Sequence, residues 1–289
     1  FIMAPGGYIH DFYGYNQRLE TAKVITTHFK KKYHIYAQSI GPFWKKENYP
    51  ELSTFFNNAA SIILREKISK IHIEKIGFHD RIKIGTDIAF LLNKEHGLKK
   101  NFKSIKRFVF CFREWKNQKE TALIKEKAIK LCEYLLNLNQ DYTITFLSTC
   151  QGVKGYKDDS ILAYQIVSNL GDKHKSRCEI IEQKLPMSDL IAILNTHDAY
   201  VGMRLHAAIF SLIAGIPALN IGYEDKTRGI FEDLEYDENH FFYNSDIETW
   251  INKLNHFIGN YRNNINSLEG KIKKVERTAQ LNVLQLEID

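Results

Sequence analysis

The sequence predicts an α/β protein of two domains, each a parallel sheet with crossover helices, facing each other across a cleft. Three observations predict it. The chain has 289 residues, about twice the roughly 150 residues of an average domain. Short apolar runs alternate with helix-period segments almost throughout, the signature of parallel strands joined by helices. One polar stretch, Asn93–Lys106, rich in Lys and Asn with Gly97 inside, interrupts the alternation and reads as a linker.

The elements follow in order. Residues 1–92 form the first domain. Its strands are expected at Phe1–Ala4, Tyr33–Ser39, Ser61–Arg65 and Arg81–Thr86, and its helices at Tyr15–Lys31, Leu52–Ala60 and Lys67–Ile76. After the linker over 93–106, residues 107–245 form the second. Strands are expected at Arg107–Phe112, Thr143–Ser148, Cys178–Glu182, Ala199–Met203 and Pro217–Ile221. Helices are expected at Glu120–Leu136, Asp158–Leu170, Met187–Thr196, Leu205–Ala214 and Thr227–Leu234. The Met187 helix starts at Pro186-Met187-Ser188-Asp189, with Ser188 or Asp189 as its cap. Residues 246–289 form a C-terminal helical segment, with Ile247–Leu286 helical and returning toward the first domain. Both domains are Rossmann-like, although no GxGxxG dinucleotide fingerprint occurs.

Composition excludes several function classes. Apolar residues are 44% and charged residues 26% of the chain, an ordinary globular balance. No apolar run approaches the ~20 residues of a membrane helix. The longest, around Ala207–Ala214, is broken by Ser211. The net charge is 40 − 34 = +6, and the lysines are scattered, so no nucleic-acid groove is expected. A basic site for an anionic small molecule fits better. The four cysteines form no CxxC pair, so no zinc or other metal site is expected and the compartment reads as reducing. The expected location is cytoplasmic, with at most peripheral association at the inner face of a membrane. Phe1 lies inside the first strand, and the natural N-terminus is expected upstream.

Ligands of open α/β sheets sit beyond the carboxyl ends of the strands, so the residues there are the candidates. Pro5-Gly6-Gly7 reads as a tight strand-to-loop turn whose N–H groups suit an anion, and His10 and Asp11 follow it. Gln38 and Ser39 end the second strand before Gly41-Pro42. Arg65 ends the third; a buried guanidinium requires an anion, which Glu66, Asp87 or a ligand supplies. Asp87 follows the fourth. In the second domain the same argument applies to Arg113, with Trp115 beside it as sugar platform or core. Ser148 and Thr149 offer hydroxyls.

The most informative segment is Met203-Arg204-Leu205-His206. A strand ends and an apolar helix begins at once, with two cationic side chains at its positive end. That placement calls for an anion, on which guanidinium, imidazole and backbone N–H groups converge. Tyr223 and Lys226 follow the next strand, and Lys226 adds a third cation.

Taken together these segments resemble the polysaccharide pyruvyl transferase family. The matching pieces are Pro5-Gly6-Gly7 with Asp11, Ala37-Gln38-Ser39-Ile40-Gly41-Pro42, Leu64-Arg65-Glu66-x-x-Ser69, Gly85-x-Asp87, Met203-Arg204-Leu205-His206, and Gly215-x-Pro217 leading to Tyr223-x-x-Lys226. The resemblance implies a GT-B-like fold. It implies phosphoenolpyruvate as donor substrate, no separate cofactor, and a sugar or glycan acceptor. Pyruvate is transferred as a ketal onto two hydroxyls of a sugar in a cell-surface polysaccharide or its precursor. Donor-binding residues fall on Arg204, Leu205 through its backbone, His206, Tyr223, Lys226 and Arg113, with Arg65 the other claimant for the facing arginine. Catalytic roles fall on His206, Arg204, Arg65 and Lys226. Acceptor-binding residues fall on Gly6, Gly7, Asp11, Gln38 and Ser39. Two departures stand out. Family members carry a strand–helix–strand portion before the Gly-Gly loop, so the N-terminal domain reads as incomplete at its start. Pro5 replaces the first glycine of a triple-Gly loop.

Two other functions fit the same residues. One is a GT-B-type glycosyltransferase with a nucleotide-sugar donor, using Glu224 or Asp225 on the ribose. The other is a catalytically inactive anion- or glycan-binding relative.

Overall fold

The computed structural model describes residues 1–92, 104–151, 158–284 and 286. Most of the expected linker, 93–103, lies outside the described residues. The chain divides into two compact units. The first comprises Phe1–Leu91, Glu224–Glu235 and Lys273–Asp289, and the second Leu92–Tyr223 and Tyr236–Ile272.

In the first unit, β1 (Ile2–Met3) and β2 (Gly6–Ile9) pair in parallel with one edge of β3 (Tyr33–Ile40). Beyond β3 come β4 (Ala59–Leu64) and β5 (Ile82–Ile84), also parallel. From Ile2 to Gly6 the pairing keeps one register on β3 across Pro5, which has no N–H for a ladder, and the register shifts between Gly6 and Ile9. Pro5-Gly6-Gly7 is therefore not the turn its glycines suggest: Gly6 and Gly7 lie within the sheet. β3 is buried at every position, as a central parallel strand covered on both faces must be. The helices α1 (Asn16–Thr27), α2 (Tyr49–Asn58) and α3 (Lys67–Glu74) surround this sheet. Leu19, Ile25, Leu52, Phe56 and Ile73 from them join Ile35 and Ile62 in one core.

In the second unit all six strands are parallel, in the order β11-β10-β9-β6-β7-β8. They are β6 (Arg107–Cys111), β7 (Thr143–Leu147), β8 (Cys178–Ile181), β9 (Ala199–Gly202), β10 (Ala218–Gly222) and β11 (His240–Phe242). The helices are α4 (Gln118–Leu138), α5 (Asp159–Ser168), α6 (Asp172–Lys175), α7 (Met187–Asn195), α8 (Leu205–Ile213) and α10 (Ile247–Gly259). The core joins Phe108, Phe110, Phe146 and Val201 of the sheet to Leu131 and Trp250 of the helices. α7 begins after Pro186 without any side-chain cap. Neither Ser188 nor Asp189 caps it, and the Ser188 hydroxyl donates to the Asp189 carboxylate instead.

The compact units cut across the expected 107–245 span. Helix α9 (Asp225–Asp233) packs with the first unit. The Lys67 N–H donates to the Asp233 carboxylate at 3.2 Å, and a Cβ at Gly229 would come within 2.7 Å of the Glu66 side chain. The C-terminal segment is two helices, α10 and α11 (Tyr261–Leu284). Near the end of α11, the buried Asn282 amide donates to the Thr86 carbonyl of the first unit at 3.0 Å.

Candidate functional site

The strand order of the second unit sets the geometry. From β6 the chain runs outward through β7 and β8, then returns to lay β9 against the other side of β6. Residues leaving the carboxyl ends of β6 and β9 therefore emerge at a topological switch point, the usual ligand position in such sheets. Arg113 follows β6 and Arg204 follows β9. The two strands come close at Gly202, where a Cβ would lie 2.4 Å from the Cys111 carbonyl oxygen.

Arg204 is the N-cap of α8. Its guanidinium bonds the Asp159 carboxylate on the first turn of α5, with Nε 3.0 Å from Oδ2 and Nη2 also bonded to Oδ1. The anion that a cation at a helix start requires is thus supplied by the protein itself. Asp159 also accepts the Thr149 N–H at 3.3 Å. Burial pushes the Asp159 carboxyl above its ordinary range, with the Arg204 bonds and then Arg113 pulling back. Burial also works against the Arg204 charge, but Asp159 outweighs it and the guanidinium is held more firmly protonated. Nothing in the sequence pairs Asp159 with Arg204 across 45 positions; the only signal was its place at a helix start.

Arg113 forms a second group. Its Nη1 donates to the Tyr223 hydroxyl at 2.8 Å, and its guanidinium lies 4.8 Å from the Tyr223 ring and 5.2 Å from the Trp115 ring. Trp115 is part of the core: it is buried, and its ring packs on Tyr223 at 4.3 Å. Burial holds the neighbouring Cys111 thiol protonated, at a pKa of about 12. His206 is exposed on the first turn of α8, its ring stacked along Phe210. Leu205 is buried; its N–H is one of the first four of the helix, which find no intrahelical acceptor. The second unit thus brings Arg204 and Arg113 to the Asp159 carboxylate, with Tyr223 bonded to Arg113 and with Leu205 and His206 following Arg204 on the first turn of α8.

Lys226 belongs to a group in the first unit. It is ion-paired with Glu224, and its Nζ sits 5.6 Å from the Tyr13 ring. A Cβ on Gly7 would approach its side chain to 3.3 Å, so the glycine makes room for the lysine. His10 is buried beside them. Desolvation lowers its pKa, Glu224 raises it and Lys226 lowers it further.

The remaining candidates are interior. Arg65 is 3% exposed. It bonds Asp87 at 3.0 Å, Ser39 at 2.8 Å and Glu66 at 3.4 Å. Burial opposes its charge, and Asp87 and Glu66 outweigh that; burial also raises the Glu66 carboxyl. Its anions are the two carboxylates, so it braces strand ends. Ser39 donates to Glu66 at 2.7 Å in the same network. Gln38 is fully buried and donates to the Tyr8 hydroxyl at 2.6 Å. Gly6 lies against the Tyr8 ring, 2.7 Å from where its Cβ would be. Asp11 accepts the N–H groups of Trp44 and Lys45 at 2.7 and 2.8 Å. Asp11, Gln38 and Ser39 are thus engaged within the protein. Among the described residues, no group of three or more His, Cys, Asp or Glu is placed to hold a metal, and no helix is long and apolar enough to cross a membrane.

Two parallel α/β units, the second with a strand-order reversal, define a GT-B-like fold. HepE of Anabaena, solved in complex with UDP, matches with a TM-score of 0.62 at 12% identity, over 93% of this chain and 74% of that one. A UDP-forming α,α-trehalose-phosphate synthase from Burkholderia xenovorans matches with a TM-score of 0.63 at 10% identity, over 96% and 72%. These likenesses concern the fold. The chain belongs to the polysaccharide pyruvyl transferase family, whose model matches residues 1–225. It is 27% identical over 280 residues to the amylovoran biosynthesis protein AmsJ of Erwinia amylovora, a match covering 90% of this chain and 65% of that protein. The chain thus spans just under two thirds of that relative.

Proposed function

We propose that the protein transfers pyruvate from phosphoenolpyruvate onto two hydroxyls of a sugar, forming a ketal in a surface polysaccharide or its precursor. The observation that carries this reading is the arrangement at the switch point, in a chain of this family. Two guanidiniums stand at the Asp159 carboxylate, and an exposed imidazole and the N-terminus of α8 follow directly after Arg204. Phosphoenolpyruvate brings a carboxylate and a phosphate. Arg204, the Leu205 N–H and His206 bind one anionic group, and Arg113 with the Tyr223 hydroxyl binds the other. Arg113 rather than Arg65 takes this role, because Arg65 is closed in by its own carboxylates.

The reaction balances without a further reagent. One sugar hydroxyl adds to C2 of the enol as a proton is delivered to C3, making the methyl group. The second hydroxyl then attacks C2 and displaces phosphate. Of the two hydroxyl protons, one is matched by the proton gained at C3 and the other leaves with phosphate. His206 acts as general acid and base for these transfers. Fixed cations stabilise the charge on the departing phosphate. Lys226 and His10, in the first unit, serve the acceptor.

A second reading, transfer of a glycosyl group from a nucleotide sugar, is favoured by the fold neighbour solved with UDP. Thermal shift separates the two. Phosphoenolpyruvate is expected to raise the melting temperature of the native protein, and the shift is expected to vanish in Arg204→Ala and shrink in His206→Ala. A shift with UDP- or GDP-sugars but not with phosphoenolpyruvate would replace the proposal with the second reading.

A further inference from the structure

The first unit holds a cavity of about 470 Å³ that the family match leaves unassigned. Its size falls within the ~300–1,000 Å³ of small-molecule sites. Three tyrosine rings, Tyr8, Tyr13 and Tyr15, line it, together with the amides of Asn16, Gln17 and Asn48 and the cation of Arg18. We propose that this cavity binds a pyranose residue of the acceptor glycan.

The walls are set before any ligand arrives. The Tyr8 hydroxyl donates to the Ala4 carbonyl and accepts from the buried Gln38 amide. The Tyr15 hydroxyl accepts from Asn48 at 2.8 Å, and its ring meets Phe43 edge-on at 5.7 Å. Asp11 ties the segment around it to the 44–45 backbone through two N–H groups. The Arg18 guanidinium lies over the Tyr8 ring, 4.5 Å from its centroid. This spares a ligand the cost of ordering its site.

The lining selects the ligand class. Phenol rings offer apolar faces with a polar rim, and the amides donate and accept alike. A pyranose has the matching surface: an apolar C–H face and hydroxyls around its edge. The Asp11 carboxylate, also on the wall, is held by two backbone N–H groups, and Arg18 and Lys45 line the same cavity with positive charge. Tyr13 is shared between this cavity and the Lys226 group, since its ring also faces the Lys226 ammonium. A sugar seated here would thus lie next to Lys226 and Gly7 of the same unit. The buried Gln38, bonded to the Tyr8 hydroxyl, becomes a positioning residue for the cavity, while Asp11 lies on its wall.

The word acceptor rests on the function proposed above, while the cavity's affinity for sugar does not, and the test separates them. Saturation-transfer NMR is run on the native protein with methyl glycosides of glucose, galactose, mannose and glucuronic acid, each at millimolar concentration. The same samples are tested for stabilisation by phosphoenolpyruvate. At least one glycoside is expected to receive saturation. Its affinity is expected to fall roughly fivefold in Tyr13→Ala and in Arg18→Ala, and to be unchanged in Tyr164→Ala, which removes an exposed ring of the second unit. Both cavity side chains are exposed, so these variants retain the fold. Saturation of no glycoside, or saturation indifferent to both cavity variants, overturns the cavity assignment even if phosphoenolpyruvate still binds. Cavity-dependent saturation without any effect of phosphoenolpyruvate supports a glycan site and overturns the donor reading instead.

Discussion

A cation buried near a ligand site is ambiguous until its partners are known, and the two interior arginines resolve differently. Arg65 meets two carboxylates and a hydroxyl, has almost no exposed surface, and is structural. Arg204 meets one carboxylate at a helix start, with Arg113 close enough to act on the same group. That leaves the local charge positive, as a doubly anionic donor requires. His10 gives this residue-level electrostatics a pH dependence. Burial lowers its pKa below the ordinary 6.5, so between those two values the unfolded chain holds more protons than the folded one. Stability therefore rises with pH through this window, is fully present above about 6.5, and is lost as pH falls toward the folded value. His72, also lowered by burial, adds to the same slope. His10→Asn keeps an acceptor for the Phe12 N–H that now bonds the ring nitrogen. Urea unfolding between about pH 7.5 and pH 5.5 is expected to show a smaller loss of stability in His10→Asn than in the native protein. An equal loss in both would mean that the folded protein lets His10 protonate freely.

At the scale of elements, close packing of strands decides which glycines are replaceable. Gly202→Ala would press a methyl group into the backbone of β6, 2.4 Å from the Cys111 oxygen and 2.9 Å from its nitrogen. Neither atom can turn aside, so a loss of more than about 3 kcal/mol is expected, at the upper end for a single substitution. Gly270, inside α11, has nothing within 4 Å of its Cβ position. There Gly270→Ala is expected to add about 0.5–1 kcal/mol through helix propensity. Chemical denaturation of both variants checks the contrast. The sequence exposed most of these elements because their burial is written locally: β9 is a continuous apolar run, and β3 and β10 are mostly apolar and buried at every position, with Asn220 the one polar residue of β10. It failed where the deciding partner is remote. Gly6 and Gly7 look like a turn until β3 is seen to continue their ladder across Pro5. β11, only three residues long, is too short for any period to show. The Arg204–Asp159 pair and the cavity beside Tyr13 depend on side chains brought together by the fold. The Arg204 and His206 helix start, by contrast, was legible because a cation at a positive helix end contradicts local electrostatics and so demands an explanation.

At the scale of the whole molecule, neither unit is a continuous stretch of chain. The first unit needs α9, which the chain makes only after completing β10, and the tail of α11, which comes last of all. These late segments fill interior positions. Gly229 packs tightly on Glu66, a member of the buried network with Arg65, Ser39 and Ser69. Asn282 is fully buried, and its amide bonds the Thr86 carbonyl, next to Asp87 of the same network. A fragment of residues 1–92 would keep the β1–β5 ladder and lose both covers. The ion network would then face water on the side from which α9 shields it, and the Thr86 carbonyl would lose its partner. A domain of about this length is already marginal because it buries a smaller share of its surface. The fragment is therefore expected to be largely unfolded, with little far-ultraviolet helix signal and poor amide dispersion in NMR. Adding a synthetic peptide of residues 224–235 alone is expected not to rescue it, because the α11 contact would still be missing. A well-dispersed spectrum from the fragment would show instead that β1–β5 and α1–α3 suffice, and that the late segments serve the site rather than the fold.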